Sequence, residues 1–153
     1  MVRRLAAAAA LATLATVAAA CGSGDADAGD HQTRDAHAAA DSSTCVADAT
    51  AVTSTPPAYP ADFPLPKDTV VFNIEDRGAD GVIATGVTTT RFDDVLTAMN
   101  DSQQAGFKVT SGETEEDDAE ANWTGNGFTG RWAIKKSATC PGETVVQLLS
   151  KKS

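Results

Sequence analysis

Four groups of residues have side chains able to do chemistry: Asp76 with Asp80, the acidic run from Glu113 to Glu120, His31 with His37, and the cysteines Cys21, Cys45 and Cys140. Two carboxylates act as general acid and base only when their surroundings drive their pKa values apart. Asp76-Arg77-Gly78-Ala79-Asp80-Gly81 is instead turn chemistry, expected on an exposed loop. Read as a calcium loop it fails at the position for the bidentate glutamate, which is Val87, and no helices flank it. Glu113, Glu115, Glu116, Asp117, Asp118 and Glu120 carry ample charge for a divalent cation or a basic partner. Without a turn glycine at the right offset they specify no cage and read as a solvated loop. His31 and His37, six apart in a polar stretch, fix no coordination geometry. No Ser/His/Asp set, metal-spaced His/Cys cluster or phosphate-cradling glycine loop accompanies these groups, so no cofactor is expected and a non-catalytic protein is favoured.

The elements that would position such residues are limited by length. At 153 residues, less an N-terminal leader and a polar stretch, roughly one hundred residues remain for a single core, and a second domain is excluded. The chain has 12 basic and 21 acidic residues, a net charge of −9, with no cluster of Lys or Arg to neutralise phosphates, which excludes a nucleic-acid partner. Residues 22–56 are Ala, Asp, Ser, Thr and Gly with almost no large apolar side chain, the composition of a disordered linker with a reach on the order of 30 Å. The proline-rich run from Pro56 to Pro66 then stiffens the chain, and Tyr59, Phe63 and Leu65 pin it to the domain edge. The boundaries expected are a signal peptide at 1–20, a linker at 21–56 and a domain at 57–153.

Within that domain the pattern predicts an α+β fold: an antiparallel sheet of about six strands in chain order ββαββββ, with one helix packed on one face. Strands are expected over 69–75 and 82–89, joined by the 76–81 turn. Thr90 is a suitable N-cap, and Asp93 and Asp94 complement the helix dipole. Phe92, Val95, Leu96 and Met99 make one apolar stripe, and Ala105-Gly106 ends the helix. A third strand starts at Phe107. Asn126-Gly127 is a type I′ hairpin signal, and it sets Trp123 opposite Gly130 and Ala121 opposite Trp132. Trp123, Trp132 and Ile134 then share the core face, while Glu120, Asn122, Thr124, Arg131 and Lys135 take a polar outer face. Val145, Val146, Leu148 and Leu149 are apolar on both faces, which suits a central strand.

The N-terminus supplies an address. Arg3 and Arg4 precede an alanine-rich run from Leu5 to Ala19 that is too short to span a membrane, and Val17-Ala18-Ala19-Ala20-Cys21-Gly22 closes it. This leader resembles the lipobox of bacterial lipoproteins, although position 18 holds Ala where that family usually has Leu. The resemblance implies cleavage before Cys21 and attachment of fatty-acyl chains such as palmitate to its thiol. It also implies a place on the cell membrane facing outside the cytoplasm. A plain secretory cut after Ala18-Ala19-Ala20 is the alternative. With Cys21 consumed by lipid, Cys45 and Cys140 remain as an even pair suited to an oxidising compartment. The alternative is that Cys45 stays free or pairs between molecules. The Asp62-Phe63-Pro64, Ala105-Gly106-Phe107 and Trp123-to-Trp132 stretches have the general look of small exported actinobacterial lipoproteins of undefined activity. The function expected is a lipid-anchored binding or interaction domain with a protein or small-molecule partner. The alternatives are a small carboxylate hydrolase and an accessory to another membrane protein of the envelope.

Overall fold

The computed structural model describes residues 44–101 and 105–153. The expectations for the leader, Cys21, His31, His37 and the linker up to residue 43 lie outside those residues. The chain forms strands β1 (Val70–Asp76) and β2 (Val82–Thr88), helix α1 (Phe92–Asn100), then β3 (Phe107–Thr114), β4 (Asp118–Gly125), β5 (Phe128–Lys136) and β6 (Thr144–Lys152). All neighbours in the sheet are antiparallel. Across the sheet the order is β1-β2-β6-β5-β4-β3, so the fold is α+β with a six-stranded sheet and one helix. The chain order does not give this spatial order. After β2 the chain crosses by way of α1 to the far edge, runs back as β3, β4 and β5, and closes with β6 between β2 and β5.

The β4–β5 hairpin is where local chemistry acts most directly. Asn126 (φ 50°) and Gly127 (φ 79°) both occupy the left-handed region, as the primed turn requires. The pairs Trp123–Gly130, Asn122–Arg131 and Ala121–Trp132 follow from it. Trp123 covers Gly130 so closely that a β-carbon there would lie 2.7 Å from the indole ring. Both tryptophans are 1% exposed and belong to the core, not to a carbohydrate platform.

That core occupies one face of the sheet. Phe92, Val95 and Met99 of α1 pack with Ala84, Ala121, Trp123, Trp132, Ile134, Val146 and Leu148. A nine-residue helix is marginal alone, so this buried stripe holds it. The far end of the same face is covered by the proline-rich entry segment. Phe63 packs its ring against Phe107 and Trp123, at 5.0 and 4.8 Å between centroids, with Tyr59 and Leu65 beside it.

Two local expectations are corrected. The N-cap is Arg91 and not Thr90, and it makes no side-chain cap. Thr90 is committed elsewhere: its carbonyl accepts the Thr144 hydroxyl and its N–H donates to Thr88 Oγ1. The helix stops at Asn100 with Asp101 as C-cap, whereas Gly106 (φ 86°) serves the loop into β3. The outer face is polar on β4 and β5, and Lys108, Ser111 and Glu113 of β3 and Asn73 and Glu75 of β1 continue it at the two edges. On β2 and β6 it carries the buried Ile83, Val87 and Val145, because these two neighbouring inner strands bear apolar residues on both faces.

Candidate functional site: a groove beside the β1 edge

The disulfide Cys45–Cys140 joins the start of the described chain to the β5–β6 loop, spanning 95 positions of sequence. Closing so long a loop stabilises the fold by about 4–5 kcal/mol in the chain-entropy model. A turn follows, with Asp48 and Ala49 N–H both donating to the Cys45 carbonyl at 2.9 Å. Val46 N–H donates to Glu143 Oε2 at 2.9 Å. The chain then runs beside β1, where Val52 N–H donates to the Val71 carbonyl at 2.9 Å. Residues 44–56, expected as the end of the linker, thus form a strap against the sheet. Ser150 Oγ donates to the Ala58 carbonyl at 2.7 Å and fixes the entry segment just beyond the strap.

Between strap and sheet lies an open groove of about 660 Å³, within the range of small-ligand sites. Residues 50–56 form one wall, and Phe72, Ile74 and Asp76 of β1 form the other. Phe72 and Ile74 are half-buried and Asp76 is exposed. The wall of the strap is rich in hydroxyls, from Thr50, Thr53, Ser54 and Thr55. The irregular register between Val71 and Asn73 lies beside the one hydrogen bond that joins strap and strand. A bulge of this kind re-aims side chains at a sheet edge. The groove thus combines an apolar floor, hydroxyls along one side and a single carboxylate at one end.

Sequence-derived candidates fall in different places. Asp76, at the end of β1, and Asp80, in the turn that follows, are both exposed, and Asp76 Oδ1 accepts Gly78 N–H at 2.9 Å. The acidic run does not form one loop. Glu113 lies on β3, Glu115, Glu116 and Asp117 make the exposed turn, and Asp118 and Glu120 belong to β4. Glu120 is buried on the outer face and ion-paired with Arg131, so the run cannot close around one cation. Asp117 pairs with Lys136 at 2.7 Å. This contact above all raises the lysine's pKa, and the ammonium also sits 5.5 Å from the centroid of the Phe92 ring.

Cys45, Cys140 and Glu143 place three potential ligand atoms within 4.8 Å of one another. With the sulfurs joined to each other, neither is a thiolate donor, and this arrangement is a latch rather than a metal centre. A smaller cavity of about 190 Å³ lies among Arg91, Phe92, Asp93, Lys136 and residues 142–144. Sequence reasoning missed the strap residues and Phe72. The small polar side chains of 50–56 signal only a linker, and Phe72 reads as one more strand hydrophobe. Asn126 was read only as a turn residue. Its side-chain amide also donates to Asp62 Oδ2 at 2.8 Å and to the Ala105 carbonyl at 3.1 Å, tying the hairpin tip to the entry segment.

Among the described residues no helix is long and apolar enough to cross a membrane. Comparison with known protein families, curated protein sequences and solved structures finds no match for this chain.

Proposed function

We propose that this protein is a lipid-anchored lipoprotein of the cell membrane, facing outside the cytoplasm, whose folded part is a small non-catalytic binding domain. The observation that carries the reading is the Cys45–Cys140 disulfide. It accounts for two of three cysteines and leaves Cys21, directly after the small residues that close the leader, as the odd thiol. Disulfides persist in oxidising compartments, in keeping with export. The linker from residue 22 to the latch at Cys45 lifts the domain from the headgroups, and the acidic surface disfavours nucleic acid as a partner. Binding is supported by the groove beside β1, which joins an apolar floor and a row of hydroxyls to one carboxylate.

Metabolic labelling with radioactive palmitate tests the anchor. Label is expected on the full chain and on the Cys45→Ser, Cys140→Ser variant, and it is expected to be lost in Cys21→Ser. Label that persists in Cys21→Ser overturns the assignment.

A further inference from the structure

We infer that the groove beside β1 binds an extended peptide segment of a protein partner, by strand addition, with a basic side chain set against Asp76. The inference rests on reading the domain as a binding module and names its site and the chemistry of its partner. Strand β1 is at one edge of the sheet. Among the described residues, the one backbone hydrogen bond on its outward side comes from Val52 to Val71. The edge from Phe72 to Asp76 is therefore open to a further strand, and an unpaired edge of this kind is a template for one. The opposite edge, β3, is less suited. Its side chains are almost all exposed from Lys108 to Thr114, so it offers an incoming chain no apolar floor.

At the β1 edge, Phe72 and Ile74 supply that floor, and the strap supplies a second wall that confines the ligand to the edge. Five residues of extended chain span roughly 17 Å, and side chains alternate along them. Ile74 and Asp76 are two apart in regular register and share a face, so an apolar residue over Ile74 sets the residue two positions along against Asp76, and that end selects a cation. Asp76 has no ion pair among the described residues, whereas the adjacent Glu75 is already bound by Arg77 at 3.0 Å. The net charge of −9 gives the same preference at long range.

The test uses the full chain in detergent micelles at about 0.15 M salt, where distant charges are screened, and fluorescence polarisation with three kinds of labelled heptapeptide. One has lysine at its first and last positions, valine at its third and fifth and serine between, so that valines and lysines share one face; one has glutamate in place of lysine, and two are isomers of the lysine peptide N-methylated on opposite edges. The lysine peptide is expected to bind at least tenfold tighter than the glutamate peptide. One N-methyl isomer, and only one, is expected to lose at least tenfold, because only one edge of the peptide faces β1. Asp76→Asn is expected to weaken binding about threefold, while the remote Asp101→Asn leaves it unchanged. Equal binding of both N-methyl isomers overturns strand addition and reduces the effect to general attraction between opposite charges. Loss of binding in Asp101→Asn equal to that in Asp76→Asn overturns the assignment to this groove. Absence of binding by every peptide overturns the inference but leaves the lipid anchor, tested by labelling at Cys21, as it stands.

Discussion

Tyr59 is the only tyrosine in the chain, and from the entry segment it packs, half-buried, against the core. Burial raises its pKa above the usual value near 10, because the phenolate would lose hydration that the phenol does not need. A folded-state pKa above the unfolded one means that the native state holds its proton longer. The contribution to stability is complete below about pH 10 and is lost as pH rises through the folded value. Lys136 is shifted in the same direction, so the two act together in strongly alkaline solution. Comparing the wild type with Tyr59→Phe cancels the lysine. Urea midpoints of the wild type should fall more steeply than those of the variant above about pH 10, and parallel curves would show that the phenol is solvated. The absorbance of the single tyrosinate reports the same titration directly. Gly130 is a second residue with a defined demand. A β-carbon there meets the Leu149 carbonyl oxygen and lies 2.7 Å from the Trp123 ring, and both are held by the sheet and the core. Gly130→Ala is expected to cost about 2–3 kcal/mol in urea denaturation, and a loss below 0.5 kcal/mol would mean that Trp123 moves freely.

At the scale of elements, the strap depends on few contacts. One disulfide, the Val46–Glu143 hydrogen bond and the Val52–Val71 hydrogen bond hold residues 45–52. Reduction should therefore act at two levels. Global stability should fall by about 4–5 kcal/mol, read as a lower denaturant midpoint. The amide of Val52 should lose its protection from hydrogen exchange under conditions where the amides of β5 and β6 keep theirs. Simultaneous loss of protection in strap and sheet would show that the strap is integral to the folding unit. The strap also shows why part of the site was illegible. The β4–β5 hairpin could be registered from Asn126-Gly127 because its pairing is local, and the helix stripe could be read from its period. The helix start was misplaced because Thr90 is recruited by Thr144, a residue 54 positions away. The groove was invisible because one wall consists of small polar residues with no period, and which strand they flank is decided by the spatial order.

For the whole molecule, the sequence carries its class but only part of its arrangement. Alternation and turns give six strands and a helix, whereas the neighbours of β6 follow from pairing across the chain. Its hydrophobicity on both faces points only to a central place. The faces of Glu120 and Arg131 could be assigned from the hairpin register, but their ion pair and its burial could not, because they depend on what the rest of the sheet places around them. The cysteine count, by contrast, anticipated the Cys45–Cys140 bridge without any geometry, because redox chemistry requires partners in pairs.

The insertion of β6 between β2 and β5 also governs when the molecule can fold. As the chain lengthens from its N-terminus, the β1–β2 ribbon and the β3–β4–β5 sheet are each complete before Thr144–Lys152 is made. Neither has the other as a neighbour until that strand arrives. Two partial sheets joined only by a nine-residue helix leave much of the apolar face uncovered. The assembly step therefore waits for the last strand, and Cys140, just before it, receives its partner from 95 positions earlier in the chain. A nascent chain of this topology cannot close its six-stranded sheet until β6 is delivered.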